Sequence, residues 1–378
     1  MALQKLPVGI QDFESLRIDG YQYVDKTEHI FNLIDRGRYY FLSRLRRFGK
    51  SLLLSTIKAF FLGKRELFNG LAIDEKDVDW AEHPVLYLDL NTEKYDAKEK
   101  LENMLNDFLV KLEKIYGKEE SETSPGLRFQ GLIKRAYEKT GRRVVILVDE
   151  YDKPMLQAIG NKELQAEFRG TLKGFYGALK SMDACIKFAM LTGVTKFGKV
   201  SVFSDLNNLM DISMDLPYYD ICGISEEELQ SNFAPNIEAL AAATGMTPDE
   251  CKEKLRLRYD GYHFEETAPG VYNPFNLLNT FARNKFGEYW FETGTPTYLV
   301  ELLQRHDWNL DDMANSDVDT DVLNSVDSES TNPIPVIYQS GYLTIKDYDE
   351  EFKLYHLGFP NKEVEEGFVK LKRHFSLA

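Results

Sequence analysis

Ser43-Arg44-Leu45-Arg46-Arg47-Phe48-Gly49-Lys50-Ser51 joins the aromatic and apolar run Tyr39-Tyr40-Phe41-Leu42 to a stretch, Ser51 to Leu62, whose leucines and phenylalanines recur at helical spacing before Gly63. The order is strand, loop, helix. A loop in that setting can hold phosphate, because backbone N–H groups at a helix N-terminus cradle the oxygens, a lysine reaches the β- and γ-phosphates and a serine hydroxyl joins the Mg²⁺ shell. Lys50 and Ser51 fit those roles, with Arg46, Arg47, Phe48, Gly49 and Leu52 as the neighbours expected to contact a nucleotide. In the pattern G-x-x-x-x-G-K-[ST] the first glycine falls at Arg44, so the match is incomplete. A basic turn capped by Gly49 is the alternative reading of this loop taken alone.

The second pattern is Val144-Val145-Ile146-Leu147-Val148-Asp149-Glu150, a buried-strand run that ends in two carboxylates. Ligands of open α/β sheets bind beyond the C-terminal ends of the strands. In an ATPase of this type Asp149 orients Mg²⁺, largely through water, and Glu150 polarises the attacking water. Acidic residues also end strands without such a role, so the specificity lies in finding both patterns in this order. Asp152 reads as the N-cap of a helix beginning near Lys153-Pro154. A further strand, Ile186 to Leu191, ends at Thr192-Gly193, with Thr195 and Lys196 close by. Thr192 is placed to hydrogen-bond a γ-phosphate or the lytic water, an ordinary turn at Gly193 being the alternative. Arg46 and Arg47 can neutralise transition-state charge in place or reach a neighbouring subunit of a homo-oligomer; otherwise they are solvated loop arginines.

Between these points, Val85 to Leu90 reads as another buried strand, and Thr27 to Arg36, Lys98 to Tyr116, Gly126 to Thr140 and Lys162 to Ser181 as helices. Such alternation predicts an α/β fold on a parallel sheet. After about Leu216 the texture becomes helical, with Ser225 and Glu228 spaced as a capping box and helical stretches to about Leu257. Arg305 to Asn332 is acidic and rich in Ser and Asp, and Tyr342 to Phe359 resembles a hairpin. The predicted division is 1–216 for the nucleotide core, 217–305 for a helical domain and 306–378 for a small C-terminal segment.

Composition sets the outer bounds. At about 150 residues per domain, 378 residues make roughly two to three domains. Hydrophobic residues at 43% and charged residues at 28% are ordinary globular usage. No apolar run approaches the ~20 residues of a membrane span, and the N-terminus lacks the apolar core of a secretory signal, so a cytoplasmic protein is expected. Cys185, Cys222 and Cys251 form no CxxC pair, which argues against a disulfide framework or a zinc cluster. His306, Asp307 and His356 lack metal-ligand spacing. The charge of −15 opposes unguided adhesion to nucleic acid or anionic lipid.

Leu6-Pro7-Val8-Gly9-Ile10, Tyr23-Val24-Asp25-Lys26-Thr27, Tyr40 to Ser43 and Arg46 to Leu52 together resemble the AAA-ATPase-like family of bacterial P-loop proteins. Val148 to Pro154, Leu191 to Val194, Tyr259 to Tyr262, Tyr272 to Phe275 and Tyr289 to Pro296 are similar to later blocks of that family. Its loop usually reads R-P-R-R-F-G-K-S, so Leu45 replaces a proline and Arg44 is typical. The resemblance implies ATP as ligand, with Mg²⁺, and a P-loop NTPase core of AAA/ASCE-like type followed by helical and winged-helix-like parts. It also implies a frequent C-terminal PD-(D/E)XK nuclease-superfamily domain, for which the residues after Val364 are too few. The chain is expected either to be truncated or to have lost that domain, and to have no nuclease activity. Three functions then compete: an ATP-binding and ATP-hydrolysing conformational switch for a C-terminal effector or partner; a non-hydrolysing nucleotide-binding or protein-interaction scaffold using the aromatic-rich C-terminal half; and a DNA-associated ATPase, which the acidic charge disfavours.

Overall fold

The computed structural model describes residues 4–196, 202–203, 206, 208–294, 313–324 and 332–375. Continuous apolar runs become strands buried along their length: β1 (Tyr39–Ser43), β3 (Val144–Asp149) and β4 (Ile186–Gly193), joined by β2 (Val85–Asp89) and a two-residue β5 (Met210–Asp211). All pair in parallel, in the order β2-β3-β4-β1-β5. Parallel strands need covering by crossover helices, which is why their residues are apolar without alternation. The consequence for function is that β4 lies between the strand leading into the loop and the strand ending in Asp149.

The helices of this region are α1 (Phe13–Ile18), α2 (Thr27–Arg36), α3 (Lys50–Phe61), α4 (Lys98–Tyr116), α5 (Pro125–Thr140), α6 (Lys153–Gln157) and α7 (Lys162–Ser181). Helix α3 lies against β3 and β4, while α4, α5 and α7 pack on one another. Helix α5 shows how local sequence sets an element: Ser124 caps it by accepting the N–H of Leu127, Pro125 opens it, and Gly141 in the left-handed region closes it.

The following unit contains α8 (Glu226–Thr244), α9 (Pro248–Tyr259) and α10 (Pro274–Arg283). Capping boxes at Ser225/Glu228 and Thr247/Glu250 start the first two, and Asn273 caps the third. Leu229, Phe233, Ile237, Leu255, Leu277 and Phe281 give this unit an apolar cluster of its own. Then come α11 (Tyr289–Gly294), β6 (Asp317–Val318), α12 (Thr320–Asn324), α13 (Ile334–Gln339), β7 (Thr344–Asp349), β8 (Leu354–Gly358) and α14 (Lys362–Phe375). The last three strands form an antiparallel sheet, β6-β8-β7, and their buried residues merge with the core of the parallel sheet.

Element positions follow the sequence expectations to within a few residues, α3 beginning at Lys50 rather than Ser51. Helices α1, α13 and α14 and the short strands β5 and β6 have no counterpart among those expectations. His306 and Asp307 lie outside the described residues, as does the end of the Tyr289 to Pro296 block. His356 pairs at the surface with Asp317 at 2.9 Å, and the three cysteines are free. Among the described residues no helix is long and apolar enough to cross a membrane.

Candidate functional site

Strand β1 ends at Ser43 and α3 begins at Lys50, so residues 44–49 must reverse the chain. Two of them do so in the left-handed region, Arg47 at φ 63° and Gly49 at φ 99°. Glycine takes that conformation freely, whereas an L side chain such as arginine does so at a cost of about 1 kcal/mol or more. Among the described residues the backbone N–H groups of Arg47 to Ser51 meet no protein acceptor. Consecutive N–H groups left open in this way form an anion-binding nest at a helix N-terminus.

Arg44, standing where the pattern has its first glycine, is almost fully buried. Its guanidinium donates to the carbonyls of Ser43 at 2.9 Å, Ser213 at 2.7 Å and Tyr218 at 3.0 Å, and lies 3.9 Å from the centre of the Phe264 ring. Burial pulls its pKa down to about 10, which leaves it charged at neutral pH. The wide turn is therefore propped from within by a guanidinium. Lys50 is also buried; its Nζ donates to the carbonyls of Arg44 at 3.0 Å and Leu45 at 3.4 Å and pairs with Glu150 Oε1 at 3.3 Å.

The carboxylates approach from the other side of β4. Asp149 accepts a hydrogen bond from the Ser51 hydroxyl at 2.6 Å on one oxygen and from the Thr192 hydroxyl at 2.7 Å on the other. The Glu150 amide reaches the same carboxylate at 3.1 Å. Thr192 is in place because β4 pairs with both β1 and β3, with Leu42 opposite Thr192 and Val148 opposite Leu191. Glu150 has left-handed backbone at φ 54°. Asp89, opposite Asp149 at the end of β2, has its pKa raised first by burial and then by the charges of Asp149 and Glu150.

Asp152 departs from the sequence reading. It occupies the N-cap position of α6, yet its side chain makes no capping bond. It accepts instead the N–H groups of Val194 at 3.2 Å and Thr195 at 2.7 Å and the Thr195 hydroxyl at 2.7 Å. Burial pushes its pKa up to about 6, with the Thr195 bonds opposing. Asp152 thus ties the end of β4 to the segment after β3, a tertiary task that displaced the local one.

Lys50, Ser51, Asp149, Glu150 and Thr192 accordingly share one site. Arg46 is half-buried, and its carbonyl accepts the Trp290 indole N–H at 3.0 Å. Arg47 is exposed, its guanidinium 4.1 Å from the Phe275 ring centre. Phe48 turns inward against Tyr262 and Phe264, with ring centres 5.1 and 5.7 Å away. Leu52 lines a cavity of about 90 Å³ beside Gly49, whose other walls include Tyr23, Val24, Ile224, Phe233 and Leu278. Among the described residues the N–H and C=O of Val24 have no protein partner. Sequence reasoning gave this cavity no role, since its walls come from segments far apart in the chain.

The residues fit Mg²⁺. A serine hydroxyl and a carboxylate converge as hard oxygen donors, and a cation that keeps several waters and substrate oxygens needs little more from protein. Among the described residues no group of three or more His, Cys, Asp and Glu side chains is arranged to hold a metal by itself.

A family model described as "Predicted AAA-ATPase" matches residues 7–203, a span that contains β1 to β4, the loop and both carboxylates. The chain is also 40% identical over 372 residues, 97% of its own length and 69% of the relative's, to a protein of Azotobacter chroococcum mcd 1 named "Uncharacterized protein in vnfD 5'region". With its open N–H nest, its buried lysine and the carboxylates facing them, the chain belongs to the AAA-ATPase-like family.

Proposed function

We propose that this protein binds ATP with Mg²⁺ and hydrolyses it, using the cycle as a conformational switch for its C-terminal half or for a partner bound there. The observation that carries this reading is the meeting of Lys50, Ser51, Asp149, Glu150 and Thr192 beneath open backbone N–H groups. Lys50 would exchange its carbonyl partners for phosphate oxygens, and the nest would take the remainder. Mg²⁺, when bound, supplies charge neutralisation at the transferring phosphate. Ser51 and Asp149 would hold it, Thr192 would keep Asp149 oriented, and Glu150 would polarise water.

The cavity beside Gly49 supports a nucleotide over a bare polyphosphate. Its walls are mostly apolar, as a base requires, and the open backbone of Val24 offers one donor and one acceptor. Adenine suits such walls better than guanine, which brings a carbonyl oxygen and more N–H groups to satisfy. Because Ile224, Phe233 and Leu278 come from the helical unit, a base held here touches both that unit and the loop.

The same proposal takes residues 1–216, 217–305 and 306–378 as its working parts, the last as a winged-helix-like segment, in a cytoplasmic protein. Arg46, half-buried, and Arg47, exposed, are the loop cations that would serve a neighbouring copy in a homo-oligomer. Calorimetry of Mg²⁺-dependent ATP binding on the wild type and Lys50→Ala, followed by phosphate release on the same samples, tests the reading. Binding and turnover lost in the variant support it; equal affinity in both removes Lys50 from the site. Persistent binding without turnover would favour a nucleotide-holding scaffold.

A further inference from the structure

The loop before Lys50 is held by donors from the C-terminal half of the chain. The Arg46 carbonyl accepts from the indole of Trp290 at 3.0 Å, and the Phe48 carbonyl from the amide of Gly223 at 3.2 Å. A peptide plane is rigid and trans, so the C=O of one residue and the N–H of the next point opposite ways. Fixing the Arg46 oxygen therefore fixes the N–H of Arg47, and fixing the Phe48 oxygen fixes that of Gly49. Both N–H groups belong to the nest. Arg47 needs such a hold, since its left-handed backbone is disfavoured for an arginine.

Trp290 is in turn tied to the last helix. It is almost fully buried, and its own N–H reaches Asn276 Oδ1 at 2.9 Å and Glu363 Oε1 at 3.0 Å. Glu363, the second residue of α14, also takes the N–H of Phe291 at 3.3 Å and, on its other oxygen, the Asn276 amide. Ring contacts run alongside: Trp290 to Tyr342 at 5.2 Å and Tyr342 to Phe368 at 5.0 Å. At Gly367 a Cβ would stand 2.4 Å from the Phe291 ring, so α14 and α11 meet without a spacer.

We propose that Trp290 is a positioning residue for the nucleotide loop and the joint through which the state of that loop reaches α14. Its indole sets one plane of the nest, its amide sits on Glu363, and neither end moves without the other. This rests on the nucleotide reading for its purpose, while the joint itself is a property of the chain alone.

Hydrogen exchange without nucleotide reads the joint directly. Trp290→Phe keeps an aromatic ring and removes the indole donor together with some ring volume; it should speed exchange about tenfold both at the Gly223 and Leu53 amides, which are bonded to the Phe48 and Gly49 carbonyls of the loop, and at 364–370, with α5 unchanged. ATP affinity with Mg²⁺ should fall about tenfold in the same variant. Trp80→Phe with Trp308→Phe leaves Trp290 as the single tryptophan, so its emission should change as ATP is added, and this variant serves if Trp290→Phe fails to fold. Unchanged exchange in either segment overturns the joint. ATP binding that leaves Trp290 emission constant overturns its coupling to nucleotide. Absence of ATP binding in the wild type sinks the nucleotide reading, and the exchange result still decides the joint.

Discussion

Lys50 Nζ and Glu150 Oε1 lie 3.3 Å apart, so the cation read as the phosphate anchor and the carboxylate read as the base neutralise each other before any nucleotide arrives. On the proposed reading an incoming phosphate would compete with Glu150 for the lysine, so that engaging the lysine and releasing the base would be one event.

Glu150→Gln should therefore separate binding from chemistry. The amide cannot pair with Lys50 as an ion, so ATP is expected to bind a few-fold more tightly, while hydrolysis falls by about 10²–10⁴, the usual contribution of a general base. Calorimetry and phosphate release measure the two effects; full turnover would take the role of base away from Glu150.

Thr192→Val removes the hydroxyl that holds Asp149 at 2.7 Å with little change of volume. Turnover should drop about tenfold, and more Mg²⁺ should be needed for half-maximal rate, with ATP affinity within about threefold of wild type. A magnesium titration of ATPase rate checks this. A loss confined to ATP affinity would place Thr192 on the phosphate instead.

Gly193→Ala introduces a Cβ that would stand 2.6 Å from both Asp152 Oδ1 and the Tyr151 ring. Both neighbours are buried and bonded, so neither can retreat. The expected cost is about 1–3 kcal/mol or more, seen as an earlier urea midpoint. A midpoint equal to wild type would mean that the end of β4 is looser than these contacts allow.

Glu363 supplies a pH test. Burial raises its pKa from 4.5 to about 7, against the pull of its hydrogen bonds and of Arg258. The folded state then keeps its proton where the unfolded chain has released it, so this residue makes stability fall as pH rises from 4.5 towards 7. The span is at most about 3 kcal/mol. Asp152, raised to about 6, acts in an overlapping window, which is why the comparison is between wild type and Glu363→Gln. Urea unfolding at pH 5 and pH 8 should show the larger loss in the wild type; parallel losses would mean that Glu363 stays charged throughout.

The parallel core is legible in the sequence because β1, β3 and β4 are continuous apolar runs, too short to span a membrane and with few alternatives but a buried strand. Lys50, Ser51, Asp149 and Glu150 are legible for a related reason: the ends of those runs are where polar groups must emerge. Strand β5 has two residues and carries no period at all. Asp152, followed by Lys153-Pro154, matches a helix start, but its carboxylate is taken by the amides of Val194 and Thr195 and the Thr195 hydroxyl, partners that only the fold brings near. The cavity beside Gly49 has no local signature, since Tyr23, Leu52, Ile224 and Leu278 meet only through the fold. The grip of Trp290 on Arg46 is hidden in the same way.

Arg47 and Glu150 stand on opposite sides of the site, each with the backbone twist that only glycine takes without penalty. Relaxing both would make a sturdier molecule, and glycine at either place would lose the side chain. If both side chains serve the proposed cycle, robustness and activity would pull against each other at these two positions.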